Sequence, residues 1–266
     1  MEKEITIAGK KIFYRLYGQG NPVMLVHGFG EIGDVWLNQV DALQDKYRLI
    51  VPDLPGSGRS EMISDMSVEG MAEILKMVIN EETGDPRQAQ VSVIGHSMGG
   101  YVTLALVEKY GETLNSFGLF HSTAFPDSDE KKAARRKGIE FIRENGAFEF
   151  LKTTSPNLFS AKTKEERASM VDQFIESLKD FSPEALIAYY EAMINRPDRV
   201  SVLKNFKKDI LFVMGEYDTA VPMADGLKQC HLPQISHVHI LHESGHMGMM
   251  EEAAKSNQVL EEFLTE

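Results

Sequence analysis

The chain has 266 residues and a formal net charge of −12 at pH 7. Its length suits one large domain that can bury a sizeable hydrophobic core. The acidic charge argues against nucleic acid and against an anionic membrane surface as the main partner. We therefore expect neither nucleic acid nor a membrane as a partner.

The cysteine content and the N-terminal sequence indicate the compartment. Cys230 is the single cysteine, so no internal disulfide can form and a reducing compartment is the simplest interpretation. The N-terminal "MEKEITIAGKKIFY" lacks the apolar segment of a signal peptide, and no apolar run approaches the roughly 18 residues of a membrane span. The expected localisation is cytoplasmic.

The predicted secondary structure alternates short strands with helices. The strand-like apolar runs are, in chain order, "EITIAG", "KIFYRLYG", "PVMLVHG", "YRLIVPD", "QVSVIG", "LNSFGLF", "DILFVMG" and "HVHILHE". The helix patterns are "VWLNQVDAL", a helix capped by Ser67 that runs through Ile79, a helix from Met98 to Gly111, and the C-terminal "MMEEAAKSNQVLEEFL". This alternation predicts an α/β fold, a mostly parallel eight-stranded sheet with helices on both faces and ligands at the carboxyl ends of its strands.

Residues 123–205 interrupt the alternation because they carry helix patterns and no convincing strand. The patterns include "DSDEKKAARRKGIEFIRENG", "TKEERASMVDQFIESL" and "SPEALIAYYEAMI", in which Ser182 is a predicted N-cap and Pro183 the first helical residue. We interpret residues 123–205 as a helical cap insertion in a core formed by residues 1–122 and 206–266. An insertion that leaves the carboxyl edge of the sheet would cover a site located there.

The pentapeptide "GHSMG", Gly95 to Gly99, matches G-x-S-x-G and stands between a predicted strand and a predicted helix. In such a turn a strained backbone exposes the serine, and its neighbours must be small so that strand and helix can approach each other. Ser97 is therefore the candidate nucleophile. The alternative is a glycine-rich turn with an incidental serine.

Three further segments favour the interpretation of Ser97 as a nucleophile over that of an incidental serine. The segment "HGFG", His27 to Gly30, resembles the HGxG loop that supplies half of an oxyanion hole, and the backbone N–H groups of Phe29 and Met98 are the expected donors. Asp218 follows the strand-like "DILFVMG", and His246 follows the last predicted strand. The order Ser97, Asp218, His246 is the order found in α/β-hydrolases.

Over essentially its full length the chain resembles the α/β-hydrolase superfamily. The segment "VPDLPGSGRS" also resembles a family turn, which implies a structural and not a catalytic role for Asp53. The resemblance implies that His246 takes the proton of Ser97, that Ser97 attacks a carbonyl carbon, and that Asp218 orients His246. Water then hydrolyses the acyl-enzyme.

The implied activity is that of a carboxylesterase-like serine hydrolase that acts, without a cofactor, on an ester or thioester of a small acyl compound. We expect a small-molecule substrate as its partner, and a monomer or a homodimer. The same triad would also suit a carbon–carbon bond hydrolase or lyase, or a cofactor-free perhydrolase. Proline iminopeptidases share the motif order as well. A ligand receptor that keeps the fold for recognition alone is the alternative from another class.

Other residues are secondary candidates. Glu216 is an alternative to Asp218 as the acid of the triad, whereas His96 is expected to pack within the turn. His121 and Trp36 are candidate substrate contacts. His237, His239 and His242 lack the spacing of a metal site, so no metal is expected.

The basic run "KKAARRK", Lys131 to Lys137, supplies one more candidate. Its predicted helical phase puts Ala134, Gly138 and Phe141 on an apolar face that Arg135 flanks. A guanidinium at the mouth of a site can bind a carboxylate or phosphate in bidentate fashion. The hypothesis is that Arg135 binds an anionic end of the substrate, and the alternative is a solvated face.

Overall fold

The computed structural model describes residues 1–84 and 90–265, and within them it has one eight-stranded sheet. The strands are β1 Glu2–Ile7, β2 Lys10–Tyr17, β3 Asn21–Val26, β4 Tyr47–Pro52, β5 Val91–His96, β6 Leu114–Phe120, β7 Ile210–Gly215 and β8 Ser236–Leu241. Their order across the sheet is β1-β2-β4-β3-β5-β6-β7-β8. β2 pairs antiparallel with β1 and with β4, and all later pairs are parallel. The predicted fold class is confirmed.

Helices outside residues 123–205 cover both faces of the sheet. They are α1 Leu37–Leu43, α2 Val68–Thr83, α3 Met98–Tyr110, α10 Met223–Gln229, α11 Gly248–Glu251 and α12 Ala253–Thr265. Alternate side chains of β3 enter two separate hydrophobic clusters, one with α2 and α3 and the other with α1 and α12. Every residue of the central strands β5 and β7 is buried, which explains their continuous apolar sequences.

The C-terminal run forms two helices where the sequence predicted one. The break is at Glu252, which leaves the helical conformation with φ −123° and ψ 55°. Its carboxylate accepts hydrogen bonds from the backbone N–H of Glu243 and the hydroxyl of Ser244. The break thus connects the helices to the loop that precedes His246.

Residues 123–205 form helices and no strand, and the structure describes all of them. The helices are α4 Asp129–Asn145, α5 Ala147–Thr154, α6 Ala161–Glu166, α7 Ala168–Ser177, α8 Pro183–Asn195 and α9 Val200–Asn205. The run predicted as one helix over residues 163–178 is divided at Arg167, whose guanidinium donates to the backbone carbonyls of Met250 and Glu251. We call residues 123–205 the helical segment.

The helical segment lies over the carboxyl ends of the parallel strands. The Tyr189 hydroxyl of α8 donates to the carbonyl of Pro55 at 2.7 Å, in the turn after β4. A Cβ on Gly30, in the loop after β3, would lie 2.7 Å from a methyl carbon of Leu151 on α5. None of the described helices is long and apolar enough to span a membrane.

Candidate active site

Ser97 occupies a strained turn between β5 and α3. Its backbone has φ 50° and ψ −116°, a conformation that costs a non-glycine residue on the order of 1–3 kcal/mol. Hydrogen bonds on both sides hold the turn, because Ser97 N donates to the carbonyl of Phe120 at 3.0 Å and the Ser122 hydroxyl donates to the carbonyl of Ser97 at 2.7 Å. The surrounding structure therefore fixes the conformation that the motif requires.

The two glycines of the motif are required by close backbone approach. A Cβ on Gly95 would lie 2.5 Å from the carbonyl oxygen of Gly99. A Cβ on Gly99 would lie 2.4 Å from the carbonyl oxygen of His27, at the end of the neighbouring strand. Distances this short exclude any side chain, so the strand and the helix can meet only through glycine.

His246 and Asp218 form a buried hydrogen-bonded pair beside this turn. Nδ1 of His246 lies 2.7 Å from Oδ2 of Asp218, and Oδ1 of Asp218 accepts the backbone N–H groups of Ala220 and Val221, each at 2.9 Å. Burial alone would raise the pKa of Asp218, but the charge and hydrogen bonds of the neighbouring histidines hold it well below its usual range. Asp218 is therefore a carboxylate at neutral pH.

The pKa of His246 is shifted in the opposite direction. Burial alone lowers it, but the charge of Asp218 and the hydrogen bond to that carboxylate outweigh burial and raise it above the ordinary value. The imidazolium form of His246 is therefore stabilised relative to that of an ordinary histidine. This is the property of a base that must hold a proton during a reaction.

Ser97 and His246 line one cavity of about 160 Å³. The helical segment supplies Arg135, Leu151 and Tyr190, among others, to its wall, and Phe29 from the loop after β3 also lines it. A larger open groove of about 590 Å³ lies near the amino end of β6 and contains none of the candidate residues.

The expected oxyanion donors flank the nucleophile. Met98 is the first residue of α3, so its N–H belongs to the helix N-terminus, where amides lack an intrahelical acceptor and the helix dipole favours negative charge. Phe29 lines the cavity, and its ring stacks on that of Tyr190 with centroids 4.4 Å apart. That contact joins the loop His27 to Gly30, the candidate oxyanion loop, to α8.

Glu31 and His96 are polar residues at the site whose roles the sequence patterns did not reveal. Nδ1 of His96 lies 3.0 Å from Oε2 of Glu31, and Nε2 of His96 lies 2.9 Å from the backbone oxygen of His246. The same Oε2 accepts the backbone N–H of Gly28 at 2.7 Å. The sequence signal that was available is an acidic residue directly after "HGFG", whose side chain the fold buries.

His121 does not line the cavity, contrary to its expected role as a substrate contact. Its ring is fully buried and Nδ1 lies 3.1 Å from Oδ2 of Asp218, the oxygen that His246 also contacts. Burial is the main reason that the pKa of His121 falls to about 4, so the ring is neutral and donates through Nδ1. His121 therefore supports Asp218 from outside the cavity.

Trp36 is also absent from the cavity wall. It is fully buried and packs edge-on against Phe120, with ring centroids 5.4 Å apart, and against His96 at 6.4 Å. Large aromatic side chains contribute most of their stabilisation through such burial. Trp36 thus forms packing below the site and does not contact the space where a substrate would lie.

The alternative acid and the strand histidines have other partners. The carboxylate of Glu216 lies 2.7 Å from Nδ1 of His242 on the exposed surface, not beside His246. His237 pairs with Asp209. In the part of the chain that the structure describes, the one group with metal-like spacing is made of His121, Asp218 and His246, which already bond to one another.

Arg135 lines the cavity and is held by Asp127. Nε of Arg135 lies 2.5 Å from one carboxylate oxygen of Asp127 and Nη2 lies 3.2 Å from the other. Arg196 also contacts Asp127 at 3.0 Å, so two guanidinium groups share one carboxylate. The buried face of α4 is formed by Gly138, Ile139 and Ile142, whereas Ala134 and Phe141, expected on that face, are exposed.

Comparison with known proteins places these features among hydrolases. A family model described as the alpha/beta hydrolase fold matches residues 21–137. The 2-hydroxy-6-oxononadienedioate/2-hydroxy-6-oxononatrienedioate hydrolase of Escherichia coli is 27% identical, in an alignment that covers 97% of this chain and 92% of the relative.

Two solved structures share the whole architecture. A thermophilic esterase from Thermogutta terrifontis, determined with malate bound, superposes with a TM-score of 0.91 at 28% identity and covers 100% of this chain and 98% of its own. The enol-lactonase from Burkholderia xenovorans LB400 has a TM-score of 0.89 at 21% identity and covers 99% of this chain and 100% of its own. The second likeness shows the fold alone.

Proposed function

We propose that the chain is an α/β-hydrolase that cleaves an ester or thioester of a small acyl compound through an acyl-enzyme on Ser97, a proposal supported by the family model over residues 21–137 and by the hydrolase relatives. The observation that carries the proposal is the buried Asp218–His246 pair, whose histidine shares one cavity with the serine of a strained strand-to-helix turn. In this proposal the helical segment is a cap that restricts which acyl groups reach Ser97.

In each half of the proposed reaction His246 acts first as a base and then as an acid. Ser97 Oγ bonds to the carbonyl carbon while Nε2 of His246 takes its proton, and Asp218 stabilises the resulting imidazolium. The backbone N–H groups of Phe29 and Met98 bind the oxyanion, and loss of one such donor typically costs about 10²–10³ in rate. His246 then protonates the leaving group, and water repeats the sequence to release the acid.

The test is active-site labelling combined with a matched pair of serine substitutions. A fluorophosphonate should form its adduct on Ser97, and Ser97→Ala should lower kcat by about 10⁴- to 10⁶-fold, as in other serine hydrolases. Ser116→Ala is the control, because Ser116 is a buried serine that bonds Ser92, away from the cavity. Labelling at another serine, or an active Ser97→Ala protein, would exclude the proposal.

A second candidate activity is hydrolysis of a carbon–carbon bond by the same residues. The Escherichia coli relative, which matches 97% of this chain, is named as a hydrolase of a 6-oxo-dienedioate. A panel of p-nitrophenyl esters of increasing acyl length, run beside a 2-hydroxy-6-oxo-dienoate, separates the two activities. Turnover of the dienoate with at least 100-fold preference over every ester would replace the ester proposal.

We further propose that the substrate carries an anionic group that binds Arg135. Two guanidinium groups face the single carboxylate of Asp127, so this side of the cavity keeps one positive charge. Nη1 of Arg135 has no hydrogen-bond partner among the described residues, and a partly buried guanidinium favours an anionic partner. The named substrate of the Escherichia coli relative is a dicarboxylate, and the Thermogutta esterase was determined with malate.

The anionic group is tested with two esters of similar length, p-nitrophenyl butyrate and p-nitrophenyl hydrogen succinate. Arg135→Gln should lower kcat/KM for the succinate by about 10- to 100-fold more than for the butyrate, the worth of one hydrogen bond to a charged group. Arg136→Gln is the control, because Arg136 is exposed on the same helix. Equal losses for the two esters would reduce Arg135 to a structural partner of Asp127.

A further inference from the structure

Two buried histidines of the site differ in what faces their ring nitrogens. His27 has a carbonyl oxygen, that of Gly28, 2.9 Å from Nδ1, and a backbone donor, that of Leu54, 2.9 Å from Nε2. One nitrogen of His27 must donate and the other must accept, which defines a neutral ring. Burial also lowers the pKa of His27, in agreement with a neutral ring.

His96 has an acceptor at each nitrogen. Oε2 of Glu31 lies 3.0 Å from Nδ1, and the backbone oxygen of His246 lies 2.9 Å from Nε2. Both nitrogens can be satisfied as donors only in the imidazolium form. Burial alone would raise the pKa of Glu31, but the charge and hydrogen bond of His96 lower it below its ordinary value. The geometry thus describes a carboxylate and an imidazolium, both fully buried.

The position of this pair gives it a role beyond packing. Glu31 lines the cavity and its Oε2 binds the N–H of Gly28, one residue before the expected oxyanion donor Phe29. An unpaired carboxylate in that low-dielectric position would repel the oxyanion that forms during the reaction. The charge of His96 cancels this repulsion while Oε2 continues to orient the oxyanion loop.

The pair also joins the two halves of the catalytic apparatus. His96 belongs to β5, Glu31 to the loop after β3, and His246 to the loop after β8. The rings of His96 and His246 lie 4.8 Å apart between centroids. A Cβ on Gly28 would lie 2.9 Å from Nδ1 of His96, so glycine is needed for the loop to come this close.

We propose that Glu31 and His96 are positioning residues, a buried ion pair that fixes the oxyanion loop relative to His246 and keeps the site free of uncompensated negative charge. The catalytic consequence of the Glu31–His96 pair rests on the proposed function. The protonation state of the pair does not, because it is measured in the protein without substrate.

The first test is the protonation of His96, measured at neutral pH by NMR of ¹⁵N-labelled histidine side chains. Both nitrogens of His96 should carry protons, because each faces an acceptor, whereas His27 should carry one and serves as the internal reference. Spectra of His96→Gln assign the signal. A His96 with either ring nitrogen unprotonated would overturn the ion pair, whatever the outcome of the Ser97 experiments.

The second test is kinetic and uses a matched buried carboxylate. Glu31→Gln should lower kcat by about 10- to 100-fold with KM changed less than about threefold, a smaller loss than removal of an oxyanion donor. Glu82→Gln is the control, because Glu82 is equally buried but bonds Lys3, Tyr14 and Arg48 away from the site. Its kcat should stay within about twofold of the unaltered protein even if its Tm falls.

Inhibition by a trifluoromethyl ketone, whose serine adduct carries an oxyanion, distinguishes a positioning role of Glu31 from a loss of folded protein in Glu31→Gln. In Glu31→Gln its Ki should rise by the same factor as kcat/KM falls. Unfolding would lower the active-site titre and leave Ki unchanged, so an unchanged Ki overturns the role at the oxyanion. Glu31→Gln/His96→Gln should lose less than the product of the two single losses, because the residues act as one unit.

Discussion

The floor of the cavity and the helical segment above it are held in different ways. On the floor, backbone groups take part in fixing the candidate residues: Ser97 N donates to the carbonyl of Phe120, and Asp218 accepts the N–H groups of Ala220 and Val221. In the helical segment, side chains carry the contacts, as in the pairing of Arg135 with Asp127. A backbone hydrogen bond can persist when the side chains around it are replaced, whereas a side-chain contact is lost or altered when either of its residues is substituted.

The difference suggests a division of labour. In the proposed reaction the floor carries the groups that any acyl transfer needs, namely nucleophile, base, acid and oxyanion donors. The helical segment supplies an arginine, an apolar side chain and a tyrosine to the wall, which are groups that select a substrate. Substitutions on the floor should therefore change kcat for every substrate, and substitutions in the helical segment should change the ranking of substrates.

The largest effect should come from Asp218→Asn. The asparagine keeps the shape of the acid but cannot hold His246 in the tautomer that accepts the serine proton, so kcat should fall by about 10⁴-fold for all esters. The measurement is kcat on at least three acyl lengths, with circular dichroism to verify the fold.

Glu216→Gln is the control for this substitution, because Glu216 contacts the exposed His242 and not His246. It should leave kcat within about threefold of the unaltered protein, as expected for an exposed pair. A severe loss in Glu216→Gln beside a mild one in Asp218→Asn would reverse the assignment of the acid.

A smaller and selective effect is expected from Leu151→Ala on α5. Leu151 is buried and lines the cavity from the helical segment, so its truncation should lengthen the accepted acyl chain. We expect kcat/KM for an octanoyl ester to rise about tenfold relative to an acetyl ester, the range that one or two methylene groups in a pocket supply.

Leu151→Ala should also lower the free energy of unfolding by about 2–5 kcal/mol, as for other buried leucines. Ile142→Ala on α4 is the control, since Ile142 is buried in the same segment but does not line the cavity. An unchanged ranking of acyl lengths in Leu151→Ala would show that the helical segment does not set substrate size.

The smallest effect concerns pH. The base must be neutral to accept the serine proton, and Asp218 raises the pKa of His246 above its ordinary value. Since protonation inactivates the base, kcat/KM should decline on the acidic side with a midpoint above about pH 6.5, the ordinary histidine value. A pH profile with stability monitored in parallel measures this midpoint, and a value at or below 6 would contradict the shift.

The strands were more predictable than the helices. All eight predicted strands are present, because buried parallel strands need continuous apolar sequences that stand out beside polar turns. Helix ends were less predictable. The runs around Arg167 and Glu252 read as single helices, but each is broken where a side chain reaches another part of the chain. Such distant partners leave no periodic signal.

The sequence by itself determined the strands of the sheet, the chain order of the candidate residues Ser97, Asp218 and His246, and the requirement for glycine on both sides of Ser97. These features depend on local spacing and local sterics. Only the tertiary structure decided which polar groups meet. It turned His121 toward Asp218, buried Trp36 below the site and paired Glu31 with His96. These residues are far apart in the chain and come together only when separate strands end at one edge of the sheet, so no local pattern records their contact.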